Sequence, residues 1–127
     1  MTIKWLVDTN ILIDYMRGRA DAVKFVEEVV AKSLCYLSSI TVAELYAGVR
    51  EGKERRLLEQ FFAAFDIASV DGEIVRIGGL YRRDYGKSHG VGLADAIIAA
   101  TAEFHRAKLA TLNKKHFPML AEVHVPY

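Results

Sequence analysis

An α/β fold is the architecture that this chain of 127 residues predicts, with a short, mostly parallel central sheet and helices on both of its faces. Three observations carry it. First, Ile3 to Val7 is an apolar run rich in strand formers that stops abruptly at Asp8, and helical spacing (Ile11, Leu12, Tyr15, Met16) begins at once. Second, the alternation of a short apolar run with a longer amphipathic stretch recurs down the chain and gives four or five short strands separated by helices, some in pairs. Third, 52% apolar and 26% charged residues are ordinary for a globular protein, and the length suits one domain over residues 1–127 with a sizeable core.

Taken in order, the first helix is expected from about Asn10 to Met16, stopping at Arg17-Gly18. A second covers about Ala20 to Lys32, with Val23, Val26, Val30 and Phe25 at inward spacing. Ser33 to Leu37 reads as a buried strand, Ser38-Ser39 offers a cap, and a third helix carries Val42 to Val49, its end marked by Gly48 and Gly52. Glu54 to Phe65 is a fourth helix with a wide apolar stripe (Leu57, Leu58, Phe61, Phe62, Phe65), and Ile67 to Val70 a short strand. Asp71 caps a fifth helix whose inner face is Ile74, Val75, Ile77, Leu80 and Tyr81. Gly86 to Gly92, with its three glycines, reads as the most flexible segment. The sixth helix, Leu93 to about Ala107, is apolar nearly all round and is expected at the centre. Lys108 to Leu112 is a strand, Asn113 to Leu120 a helical turn region, and Val123 to Val125 a last strand.

The net charge of +1 gives no global case for nucleic acid or membrane, so either partner must be read from local patches. The single cysteine, Cys35, excludes an internal disulfide and reads as a buried small hydrophobe in a reducing cytoplasm. No stretch approaches the roughly 20 apolar residues of a bilayer span, and Asp8 and Asn10 interrupt any signal-peptide core. The expectation is a soluble cytoplasmic protein.

In parallel sheets, chemistry sits beyond the carboxyl ends of the strands, and Asp8 stands at such an end. Asp8 also suits a helix N-cap, Thr41 and Glu44 have capping-box spacing, and Asp95 falls in a helix first turn where the dipole favours an anion. Each local reading stands by itself. Together they place three acids at helix starts in a fold that gathers such starts on one edge. The small and apolar flanks of Glu44 suggest a carboxylate near the interior, and Asp95 lies among Ala and Ile with no dedicated cation nearby in sequence, Arg82 and Arg83 being the nearest. Clustered carboxylates raise one another's pKa unless a cation neutralises them. Mg²⁺ or Mn²⁺ does so with oxygen ligands while keeping several waters. Asp8, Glu44 and Asp95 therefore read as an open metal site. Near the C-terminal strand, Asn113 offers a carbonyl oxygen to a metal-bound water or a cap to the next turn. Thr9 and Thr111 are supporting donors or satisfy only backbone. His116 is read as a surface residue in preference to a phosphate contact.

Val7-Asp8-Thr9-Asn10, Ser39 to Gly48 around Glu44, Leu93 to Ala102 around Asp95, and Leu109 to Asn113 followed by His116-Phe117 resemble, in order, the four blocks of the PIN domain, and more narrowly of the VapC-type toxins of toxin–antitoxin pairs. The resemblance covers nearly the whole chain. It implies a three-layer α/β/α fold and a Mg²⁺- or Mn²⁺-dependent endoribonuclease with catalytic positions at Asp8, Glu44, Asp95 and Asn113. It also implies a homodimer and a cognate VapB-like antitoxin whose C-terminal segment lies in the active-site groove. Many relatives carry Asp at the position of Asn113, which puts a second metal ion in question. Metal-activated water attacking in line would leave a 5′-phosphate and a 3′-hydroxyl. Asp8 and Asp95 would be the principal ligands, and Glu44 a ligand, direct or through water, or the group that orients the nucleophile. For RNA, the candidate contacts are Arg82, Arg83, Lys87, Lys114 and Lys115.

Competing readings are a PIN-like scaffold that binds RNA or antitoxin without cutting and a phosphoacceptor receiver domain. The receiver needs adjacent acids after the first strand, where this chain has Asp8 alone. An Asp-x-Asp phosphotransferase fails because Asn10 occupies the second acidic position.

Overall fold

Strand β1 (Lys4–Val7) is the centre of a five-stranded, wholly parallel sheet in a computed structural model that describes residues 3–127. The remaining strands are β2 (Leu34–Ser38), β3 (Asp66–Ala68), β4 (Lys108–Ala110) and β5 (Val123–His124), in the spatial order β3-β2-β1-β4-β5. Helices α1 (Thr9–Met16), α2 (Ala20–Lys32), α3 (Ser39–Gly48), α4 (Lys53–Phe62), α5 (Gly72–His89) and α6 (Leu93–Phe104) connect them. Strand order runs outward from β1 through β2 and β3 on one side and through β4 and β5 on the other. The sheet therefore has its switch point between β1 and β4, where the crevice beyond the strand ends opens.

The period of two along each strand sorts the core into two layers. Trp5 and Val7 of β1, Cys35 and Leu37 of β2 and Ala110 of β4 face one side, against Ile11 and Leu12 of α1, Val26 and Val29 of α2, and Leu58 of α4. Leu6 and Leu109 face the other, against Ile98, Ala99 and Ala102 of α6 and Phe117. Helices cover both faces, as the sequence predicts, and α6 is as central as its composition indicates, with Ala96 and every residue from Ile98 to Ala102 buried. Cys35 is buried, and desolvation pushes its thiol up to about 11, as suits an inert core residue. Among the described residues no helix is long and apolar enough to cross a membrane.

Several expectations are corrected. The third helix begins at Ser39, not Val42, because Ser38 is the N-cap and its hydroxyl accepts the Ile40 N–H at 3.1 Å. Thr41 is therefore inside the helix, and the Thr41–Glu44 capping box does not form. The segment read as flexible from Gly86 is helical through His89. Arg82 lies along the helix across Gly86, and Gly90 ends the helix at φ +66°. Leu57, Val75 and Leu80, expected on inner faces, are exposed. For α5 the reason is close approach: Gly78 presses on Ile97 of α6, so its row, rather than that of Val75 and Leu80, forms the contact.

Candidate active site

Asp8 ends β1 in the crevice between β1 and β4, its backbone N–H donating to the Ala110 carbonyl at 2.9 Å. It caps α1 and does more. Oδ1 accepts the Thr9 N–H at 2.8 Å, and Oδ2 accepts the Thr111 hydroxyl at 2.7 Å. The residue is only 4% exposed. Burial raises its carboxyl from 3.8 to about 6, against the lowering effect of the Thr111 and Thr9 hydrogen bonds, and the negative charges of Asp95 and Glu44 push the same way as burial. Both distant acids thus act on Asp8 through space.

Glu44 reaches this crevice from α3. The Thr9 hydroxyl donates to its Oε1 at 2.8 Å and lies 3.1 Å from the Thr41 hydroxyl. The carboxylate is exposed, contrary to the expectation of an interior position. Thr41 and Leu45 are the residues of α3 that turn to the core, while the small neighbours Ala43, Ala47 and Gly48 lie at the surface. Gly48 instead borders an open groove of about 610 Å³ between α1, α3 and α4, floored by Ile13, Met16, Leu45, Val49 and Leu57, with Glu44 at its edge.

Asp95 occupies the first turn of α6 and is half-buried. Its partner is His116, whose Nδ1 stands 3.2 Å from Oδ2. In the sequence His116 reads as a surface residue and Asp95 has no evident partner. A 3-10 turn at Lys114–His116 folds back over the start of α6 and makes the pair, a contact between segments that no local pattern announces. Neither arginine fills that place: Arg83 pairs with Asp84, and Arg82 lies along its own helix over Gly86.

Asn113 is exposed, and its side chain makes no capping bond to the 3-10 turn. Its backbone N–H donates to the Thr111 hydroxyl oxygen at 3.1 Å. Thr111 is fully buried, so both threonines singled out in the sequence, Thr9 and Thr111, hold carboxylates. Asn10 was missed. Its Nδ2 donates to Thr111 Oγ1 at 3.5 Å and its Oδ1 accepts the Leu112 N–H at 3.4 Å, fastening α1 to the end of β4. The polar run Asp8-Thr9-Asn10 at a strand end was the available signal. Lys114 and Lys115 are exposed on the turn beside His116, and Arg82, Arg83 and Lys87 on the last turns of α5.

Among the described residues no Lys or Arg forms an ion pair with Asp8, Glu44 or Asp95. Nor do three His, Cys, Asp or Glu side chains close into a ready-made metal cage among them. The donor set is hard oxygen, it is net negative, and one member is buried at an energetic cost. Those properties fit a divalent ion that takes few direct carboxylates and retains water.

The sequence matches the PIN domain family over residues 5–123. Ribonuclease VapC19 of Mycobacterium tuberculosis is 41% identical to it over 124 residues, which cover 96% of this chain and 98% of the relative. Ribonuclease VapC1 of Methanocaldococcus jannaschii is 36% identical over 120 residues, covering 94% and 82%. A toxin–antitoxin complex from Klebsiella pneumoniae contains a chain that superposes with a TM-score of 0.81 at 32% identity, covering 96% of this chain and 97% of that one. The match runs from β1 into β5 and takes in every acid of the crevice, and the chain belongs to the PIN domain family.

Proposed function

We propose that this protein is an endoribonuclease that depends on Mg²⁺ or Mn²⁺ and serves as the toxin of a type II toxin–antitoxin pair. The observation that carries the reading is Asp8, a buried carboxylate at the switch point of the sheet, acted on by the charges of Glu44 and Asp95. The ribonuclease relatives and the toxin–antitoxin neighbour support the same activity and class of partner.

A bound divalent ion supplies an acidified water and neutralises charge on the phosphoryl oxygens. Asp8 and Asp95 would hold it. Thr9 N–H and the Thr111 hydroxyl fix the two oxygens of Asp8, and His116 fixes Asp95, so neither carboxylate reorganises as negative charge develops on the substrate. Glu44, exposed and bonded to Thr9, is placed to orient the attacking water or to bind the ion through water. Asn113 takes the fourth catalytic position with a neutral carbonyl oxygen. Lys114, Lys115 and Lys87 with Arg82 and Arg83 would contact the phosphates, and in-line attack by water with departure of the 3′ oxygen would leave a 5′-phosphate and a 3′-hydroxyl. A VapB-like antitoxin segment would fill the apolar groove between α1, α3 and α4 and end beside Glu44. Exposed Val75, Leu80 and Leu93 supply apolar surface for a homodimer. The protein would act in the cytoplasm, where RNA and antitoxin are found.

Cleavage of RNA should require Mg²⁺ or Mn²⁺, cease in EDTA, and be lost in Asp8→Asn and Asp95→Asn. Cleavage that persists in EDTA and in both variants ends the proposal. The neutral, exposed Asn113 favours one second reading, a scaffold that binds RNA or antitoxin without cutting, which predicts RNA retention with no product under the same conditions.

A further inference from the structure

Two fully buried threonines sit inside helices of this chain, Thr41 in α3 and Thr101 in α6. Thr101 does what a helical threonine usually does: its hydroxyl donates to the carbonyl four residues back, that of Ile97, at 2.8 Å. Thr41 does not. Among the described residues its hydroxyl has one hydrogen-bond partner, the hydroxyl of Thr9 at 3.1 Å, across a helix boundary and 32 residues away in sequence. The Thr9 hydroxyl in turn stands 2.8 Å from Glu44 Oε1.

A hydroxyl has one proton to donate, and the charged carboxylate is the stronger acceptor for that of Thr9. Thr9 Oγ1 then accepts the Thr41 proton. The order is Thr41 O–H to Thr9 Oγ1, and Thr9 O–H to Glu44 Oε1, each bond polarising the next. We infer that Thr41 is a positioning residue: its buried hydroxyl orients Thr9, and through Thr9 it holds the exposed carboxylate of Glu44 at the mouth of the crevice. Glu44 lies on the surface, where side-chain entropy favours many rotamers, so an anchor in the core is what restricts it. Oε1 is engaged, and Oε2 has no protein partner among the described residues and is the oxygen left for water, ion or substrate. No titration and no charge on Thr41 is involved.

The inference rests on the nuclease reading for its consequence in catalysis, but not for its structural content. The test compares Thr41→Val, which keeps the shape and removes the hydroxyl, with Thr41→Ser, which keeps the hydroxyl, and with Thr101→Val as the matched buried control. The first readout is the side-chain order of Glu44 by NMR relaxation in the metal-free protein. The second is steady-state RNA cleavage in Mn²⁺. Thr41→Val should lower the order of Glu44 and lower kcat by about tenfold with KM within about twofold, the size expected for one buried hydrogen bond between neutral groups. Thr41→Ser should restore both, and Thr101→Val should move neither, whatever it does to the melting temperature. Should Thr41→Val not fold, Thr41→Ala replaces it with the same expectations. Unchanged order of Glu44 in the hydroxyl-free variant, or an equal loss in Thr101→Val, overturns the inference. A wild-type protein that cuts no RNA refutes the nuclease reading alone, because the order of Glu44 still decides the role of Thr41.

Discussion

Replacing Asp8 by Asn should make the metal-free protein more stable at neutral pH while abolishing activity. The carboxyl of Asp8 is raised from 3.8 in the unfolded chain to about 6 in the fold. Between those values the folded state keeps a proton that the unfolded chain has released. Stability therefore falls as pH rises from about 4 to about 6, and the full penalty remains above that, roughly 3 kcal/mol. Asn carries no charge and escapes the penalty. It loses one acceptor, however, because its amide nitrogen accepts no hydrogen bond, so only one of the Thr9 N–H and the Thr111 O–H keeps an oxygen to donate to, a cost of about 1 kcal/mol. The net gain is about 1–2 kcal/mol, or about 3–8 °C in Tm for a domain of this length. Circular-dichroism melts in EDTA at pH 7.5 should show it, and below about pH 4 the variant's advantage should vanish and give way to the deficit of about 1 kcal/mol from the lost acceptor. Mn²⁺ at about 100 times its Kd should reverse the order by stabilising only the wild type, by about 2.7 kcal/mol. A variant that melts at or below the wild type in EDTA, or that responds equally to Mn²⁺, refutes the assignment of Asp8 as a buried, metal-seeking carboxylate.

Four further outcomes are expected. Lys114→Ala and Lys115→Ala should weaken RNA binding across sequences and each lower the slope of log affinity against log salt by about 1, measured by titration at several salt concentrations; an unchanged slope removes these residues from the interface. Gly78→Ala should destabilise by about 1–2 kcal/mol in denaturant melts, because its Cβ would stand 2.9 Å from Ile97 Cγ1 and 3.1 Å from Ile97 Cα. Gly79→Ala meets nothing within 4 Å and should stabilise α5 by up to about 1 kcal/mol. Leu57→Asp, on an exposed wall of the α1–α3–α4 groove, should reduce antitoxin affinity at least about tenfold by calorimetry with little change in Tm, since one buried leucine contributes about 1.5–3 kcal/mol.

The site was legible in the sequence where local chemistry set it. Asp8 had to follow a strand and open a helix, because Ile3 to Val7 and the Ile11, Leu12, Tyr15 spacing leave no other junction, and its capping and active-site readings proved compatible: one oxygen caps α1 while the other takes the Thr111 hydroxyl. Asp95 in the first turn of a buried helix was equally readable. Glu44 was read correctly as to helix but not as to burial. Small and apolar flanks signify contact with something, and in α3 that something includes an open groove rather than only the core. The His116 partner of Asp95 and the Asn10 clasp on Thr111 and Leu112 were not legible, since each joins residues from different crossover units.

By itself the sequence determined the order of strands and helices, the caps at Asp8, Ser38 and Asp71, and which residue types stand at the strand ends, because hydrophobic period and capping chemistry act within a few residues. The tertiary structure alone decided the strand order that sets β4 beside β1, the turn that carries His116 to Asp95, and the hydroxyl line from Thr41 through Thr9 to Glu44. Those depend on which sheet edges pair and which buried donors meet, energies that exist only once distant segments have excluded water between them.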